Sequence, residues 1–211
     1  SQKEVDGYRF LGEIYYNKGN MLMSNYKSSG NVQDSLQALE YFNNAITILE
    51  EGRKLYPSNS DILLVLSNSY IGANKIDVAI DAFKSGVEQE PDNKYYRYNY
   101  GVLLLNSGEF AKAEEQFKKA LEIDPNYENA IYNIAVTYVK WGGALQKVAD
   151  EKGVDDPEIK VKFQLALPYL ENYVQKVPDN PAVWEVLGQV YSYLGRLDDA
   201  QKAFDKVDQL R

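Results

Sequence analysis

Three prolines stand 34 residues apart, at Pro57, Pro91 and Pro125. Ala79 and Ala113 keep the same interval, as do Phe83 and Phe117, and further on Ala166 and Ala200. A fixed period of this length marks stacked supersecondary units, each too small to bury its apolar face alone. Such a chain builds its core by laying unit against unit. What it offers to the outside is a surface for holding another chain.

Within a period the spacing is helical. Trp184, Leu187 and Tyr191 fall at i, i+3 and i+7, with Gly188 among them, and Ala200 and Phe204 begin a second stripe. Gly188 leaves room for close helix approach, and Gly195 marks the turn. The grammar repeats at Tyr100, Gly101, Leu104, Ala113, Phe117 and at Leu63, Leu66, Ser67, Tyr70, Ala79, Phe83. It also repeats at Ile131, Ile134, Ala135, Tyr138, Ala166, Leu170 and at Tyr8, Leu11, Gly12, Tyr15, Ala38, Phe42. Each unit ends in Pro and polar residues: Pro57-Ser58-Asn59, Pro91-Asp92-Asn93, Pro125-Asn126-Tyr127 and Pro178-Asp179-Asn180. Proline stops one helix and Asn or Asp caps the next.

This is the pattern of the tetratricopeptide repeat (TPR), and the chain resembles TPR proteins of bacterial type with five repeats. The resemblance implies an all-α fold, a right-handed TPR solenoid of antiparallel helix pairs. It implies a single domain over 1–211, with repeats at about 5–59, 60–93, 94–127, 128–180 and 181–211.

Repeats one and four depart from the period. Tyr70 and Ala79 are nine positions apart, whereas Tyr15 to Ala38 takes 23 and Tyr138 to Ala166 takes 28. Insertions therefore lie near 18–35 and 142–160. Trp141, Leu145, Val148 and Ala149 continue one helical stripe, Gly153 stops it, and Asp156-Pro157 starts the next helix. Ile159, Phe163, Leu167 and Leu170 supply the opposing stripe, with Pro168 expected to kink that helix or restart it. The first insertion predicts a looser projection with a Ser/Gly-rich loop near Lys27 to Asn31. Seven extra residues within Ile48 to Tyr56 lengthen the second helix of repeat one. The run Ala38-Leu39-Glu40-Tyr41-Phe42 beside Ala166-Leu167-Pro168-Tyr169-Leu170 suggests an older duplication.

Composition limits the chemistry. The 211 residues are 26% charged and 45% hydrophobic, enough for an ordered core. The net charge of -8 argues against nucleic acid and anionic membrane as partners. With no cysteine and no histidine, thiolate and imidazole catalysis and the usual zinc sets are absent. No enzyme, cofactor or metal site is expected. Glu114-Glu115, Lys118-Lys119 and Asp198-Asp199 read as solvated outer faces with i, i+4 pairing. No apolar run suggests a membrane span. A start at Ser1 without a leader reads as a trimmed product, cytoplasmic or periplasmic.

In TPR proteins the first helices line a concave channel. Transferring those positions assigns partner contact to Arg9 and Tyr16 in repeat one and Asn68 in repeat two. It assigns Tyr95, Tyr98, Asn99 and Asn106 in repeat three, Tyr132, Asn133 and Lys140 in repeat four, and Gln189 in repeat five. Glu13, Asn17, Asp61, Leu64, Ile71, Val102, Asn129, Val136, Glu185 and Tyr193 share the mapped face. Tyr98 and Tyr132 are equivalent, as are Asn99 and Asn133, so their side chains are expected to sit side by side. Asn offers a donor and an acceptor for the backbone of an extended peptide. This resembles the asparagine ladder of the TPR superhelix in O-GlcNAc transferase, although Val65 and Val186 interrupt it. The basic clamp of chaperone-binding TPRs is missing, its places carrying Leu64, Tyr98, Tyr95 or Asn129. The expected function is a scaffold holding an extended peptide or helix of a protein partner in the concave groove. The alternative is self-assembly through solenoid ends or projecting hairpins, since the chain closes on Phe204, Val207 and Leu210 without a polar capping helix.

Overall fold

The computed structural model describes residues 2–211, with side chains from residue 4 onward. The regular elements among them are ten α-helices. In chain order they begin with α1 (Gln2–Ser29), α2 (Val32–Leu55), α3 (Ser60–Gly72), α4 (Ile76–Gln89), α5 (Lys94–Asn106) and α6 (Phe110–Ile123). They continue with α7 (Glu128–Lys152) and α8 (Pro157–Lys176), then α9 (Pro181–Tyr193) and α10 (Leu197–Leu210).

The Pro-polar connections act as predicted. Asn59 Oδ1 accepts from Ile62 N–H at 2.9 Å, Asn93 Oδ1 from Tyr95 N–H at 2.9 Å, and Asn180 Oδ1 from Ala182 N–H at 3.1 Å. Each satisfies one of the N–H groups left open at a helix start, worth about 1 kcal/mol. Before α7 the capping position is Tyr127, which makes no side-chain cap bond. There Asp124 Oδ1 accepts from Asn126 N–H instead. A further carbonyl is held in two repeats by unrelated side chains. Arg97 Nε donates to Pro91 O at 2.6 Å, and Trp184 Nε1 donates to Pro178 O at 2.8 Å.

The helices form two compact units, Ser1–Glu109 and Phe110–Arg211. In the first unit α3 lies against both α1 and α2, and α5 lies against both α3 and α4. The core there is built around Phe42, whose ring fills the space beside two glycines. A Cβ on Gly19 would stand 2.7 Å from the ring, and one on Gly72 2.8 Å from it. In the second unit α7 packs on α6 and α8, and α9 on α8 and α10. Phe117, Ile134, Tyr138, Leu170 and Leu187 are buried there. Full burial of such side chains contributes roughly 1.5–3 kcal/mol each. Gly188 plays the part its place predicts, since a Cβ there would stand 2.7 Å from Phe204.

The longer pairs are those of repeats one and four. The helices α1, α2, α7 and α8 have 28, 24, 25 and 20 residues. The other six have 13 or 14. Gly153 ends α7 in the left-handed region at φ 63, and Asp156 caps α8. Three details differ from the sequence-based expectation. The loop expected at Lys27 to Asn31 shrinks to Gly30 and Asn31. Ser28 and Ser29 donate back to Ser24 O and Asn25 O and stay helical, Gly30 turns at φ 72, and Asn31 caps α2. Pro168 does not restart α8, which runs through it as one helix. Pro168 and Gln164 are both exposed, so water can reach the carbonyl that the missing N–H leaves open. Val148, placed on the inner stripe by spacing, is 45% exposed.

Candidate functional site

In the first unit, α1, α3 and α5 stand side by side in that order. Most of the residues mapped to the partner face are on these helices, in three different environments. Asn68, on α3, is half-buried, and its amide has no hydrogen-bond partner among the described residues. One turn earlier Leu64 is 38% exposed. Asn106 is exposed on α5, where its Nδ2 donates to Val102 O at 2.8 Å. These three are open to a guest.

Arg9 and Tyr16 are half-buried and engaged. The Arg9 guanidinium donates to Glu13 at 3.2 Å and stands 4.0 Å from Asp61, bridging α1 to α3. The Tyr16 ring packs 6.0 Å from Phe42, centroid to centroid. Tyr95 is half-buried, with the Lys94 ammonium 5.1 Å from its ring.

Asn99 and Tyr98 are different again. Asn99 is 1% exposed and Tyr98 7%. Both ends of the Asn99 amide are engaged: Ser67 Oγ donates to Oδ1 at 2.9 Å, and Nδ2 donates to Tyr95 O at 2.8 Å. Asn99 therefore ties α5 to α3 rather than facing a partner. The alignment of Asn99 with Asn133 gave no sign of this, because the hydroxyl that covers Asn99 comes from Ser67 of the preceding repeat.

In the second unit Tyr132 and Asn133 are half-buried on α7, and Lys140 on α7 and Gln189 on α9 are exposed. The Tyr132 ring faces Tyr173 at 5.0 Å. Asn133 Nδ2 donates to Asn129 O at 3.0 Å, the same back-bond to residue i−4 that Asn99 and Asn106 make. Asn99, Asn106 and Asn133 thus turn the amide N–H onto their own helix.

One repeated feature was not anticipated. Tyr70, Tyr138 and Tyr191 each donate a phenol O–H to a carboxylate on the second helix of the preceding repeat: Glu50, Glu114 and Glu171. Burial first, and then the neighbouring carboxylate, push these phenols above their ordinary range. Burial alone would raise the Glu114 carboxyl, but donation from Lys118 and Tyr138 holds it below its usual value. Lys118 and Lys119 pair with Glu114 and Glu115 one turn away, as the charge pattern predicts. Among the described residues no cluster of acidic side chains is arranged to hold a metal ion. Among the same residues no helix is long and apolar enough to cross a membrane.

A cleft of about 460 Å³ opens over Trp184 and Tyr191, lined on the α10 side by Asp199, Lys202, Ala203, Lys206 and Gln209.

Comparison with known proteins agrees with the helix-pair architecture. Models of the tetratricopeptide repeat match residues 64–128 and 162–210, together just over half of the chain. A photosystem I assembly protein Ycf3 from Acaryochloris marina is 30% identical over 95 residues, 44% of this chain and 54% of the relative. The protein O-mannosyl-transferase Tmtc3 of Drosophila melanogaster is 26% identical over 122 residues, 57% of this chain. The chain thus matches about half the length of that Ycf3 protein and 11% of Tmtc3. Among solved structures, one of MamA protein superposes with a TM-score of 0.59 at 20% identity, over 95% of this chain and 91% of that one. The chain belongs to the tetratricopeptide repeat family, whose members mediate protein–protein interactions.

Proposed function

We propose that this chain is a binding scaffold without chemistry of its own, and that the first-helix face of its first unit holds an extended segment or helix of a partner protein. The observation that carries the reading is Asn68. A half-buried amide with no partner of its own, one turn from the exposed Leu64, sits midway between α1 and α5. A polar group in that state gains from a guest that supplies the missing hydrogen bonds. Leu64 adds apolar area beside it, and Asn106 and Tyr95 extend the surface along α5. In the second unit, Tyr132, Asn133 and Lys140 on α7 and Gln189 on α9 offer a separate surface of the same kind. Arg9, Tyr16 and Asn99 support the face through their contacts with neighbouring helices, and Tyr98 is buried.

Peptides selected on the intact chain from a randomised library test the proposal. Asn68→Ala weakens the selected peptides roughly three- to tenfold, the loss of about one hydrogen bond, and Leu64→Glu weakens them further. Unchanged affinity in both variants contradicts the reading.

A second reading, self-association, is favoured by Phe10, Leu11 and Ile14, exposed at 50%, 38% and 53% along one side of α1. Light scattering over a concentration series decides it. A rise in mass that Ile14→Glu abolishes supports self-association, and a constant mass removes it.

A further inference from the structure

The cleft over Trp184 and Tyr191 lies in the second unit and takes no part in the face described above. Its floor is aromatic and small: Trp184, Tyr191 and Ala203. The polar atoms of that floor are already engaged. The Trp184 indole N–H donates to Pro178 O, and the Tyr191 phenol donates to Glu171. Tyr191 and Ala203 are 8% and 1% exposed, and the Arg196 guanidinium stands 4.4 Å over the Tyr191 ring, so what the floor presents to a guest is chiefly the half-buried Trp184 ring.

The lip of the cleft is basic. Lys202 and Lys206 stand one turn apart on α10, with Gln209 beyond them. The nearby carboxylates are held by Arg196, which pairs with Asp199 at 2.7 Å and reaches Glu171 at 3.5 Å. Lys202 touches Asp199 only at 3.7 Å and is 78% exposed. Lys206 has no ion pair among the described residues.

The repeat itself does not require lysine at these places. Counted from the buried alanine of each second helix, the same two positions carry Glu40 and Asn44, Asp81 and Ser85, Glu115 and Lys119, and Pro168 and Asn172. Only α10 has lysine at both, in a chain whose net charge is -8.

We propose that this cleft is a second docking site, and that it takes an acidic amphipathic peptide. The guest places one large apolar side chain on the Trp184 ring, and its flanking carboxylates meet Lys202 and Lys206. The apolar floor supplies contact area, and the two ammonium groups select the charge of the guest.

The test uses the intact chain and a short fluorescein-labelled helical peptide carrying a leucine between two glutamates one turn apart. A second peptide replaces both glutamates with glutamine. The acidic peptide is expected to bind saturably, to change Trp184 emission in a Trp141→Phe background, and to weaken as salt is raised. Lys202→Glu/Lys206→Glu and the glutamine peptide should each lower affinity about tenfold or more, while Asn68→Ala leaves it unchanged. Equal affinity of the two peptides overturns the proposal, as does unchanged affinity in the charge-reversed variant. An Asn68→Ala variant that loses the peptide assigns it to the first-helix face and also overturns it. So does binding of phosphatidylserine vesicles through the two lysines without any binding of the peptide.

Discussion

Tyr191 and Glu171 belong to successive repeats, and the phenol of one donates to Oε1 of the other at 2.7 Å. The same join links Tyr70 to Glu50 at 3.0 Å and Tyr138 to Glu114 at 2.7 Å. A stack of hairpins is held mainly by apolar contact, which does not fix how far one hairpin slides along the next. At three of these junctions a directional bond from the incoming first helix (α3, α7 or α9) to the second helix behind it fixes that register.

Removing one of these joins has a definite cost. Tyr191→Phe keeps the ring on its neighbours but leaves the Glu171 carboxylate with Arg196 alone. The expected loss is about 1–2 kcal/mol, read as a lower urea midpoint with an unchanged slope.

The three phenols also set an alkaline limit. Their folded-state pKa values lie above the value of about 10 of an unfolded tyrosine. The stability they contribute is complete below that pH. Above it the unfolded chain gives up protons that the folded chain keeps, so stability falls as pH rises. Thermal melts of the wild type should therefore drop steeply above about pH 10. Those of Tyr70→Phe/Tyr138→Phe/Tyr191→Phe should start lower and fall less over the same range.

Two glycines inside helices should answer the same substitution in opposite directions. A Cβ on Gly86 would overlap the buried ring of Tyr96, so Gly86→Ala should destabilise by roughly 1–3 kcal/mol. Gly143 on α7 is exposed with nothing near its missing Cβ, so Gly143→Ala should stabilise by about 0.5–1 kcal/mol. Chemical denaturation of the two variants measures both signs.

Ser67→Ala removes the hydroxyl that donates to Asn99 Oδ1 in a site where both residues are buried. An acceptor left unsatisfied there costs about 1–3 kcal/mol. Faster amide exchange in α5 than in α4 would locate the damage.

Much of this architecture could be read from the sequence because it rests on local rules. Proline at the end of a period, asparagine two residues later and a small residue at Gly188 or Ala200 have the same effect in any neighbourhood. The long hairpin of repeat four was also legible, since Trp141, Leu145 and Ala149 keep a helical spacing through the insertion. What escaped depends on contacts across repeats. Asn99 and Asn68 are both asparagines on first helices, yet Asn99 is covered by Ser67 and Asn68 is left open. The Ser28-Ser29 pair looks like a flexible loop by composition, but each hydroxyl bonds back into α1. A likeness between repeats one and four extends to geometry. The Tyr15–Tyr41 and Tyr138–Tyr169 rings have the same centroid separation of 6.2 Å and the same interplanar angle of 35°.

Backbone NMR shift mapping with a selected peptide is the most direct measurement of the binding account. It should show the largest changes on the open sides of α1, α3 and α5, centred on Leu64 and Asn68, with little response in α2 and α4. Changes confined to α2 and α4, with the Asn68 side-chain amide signals unmoved at saturation, would contradict it.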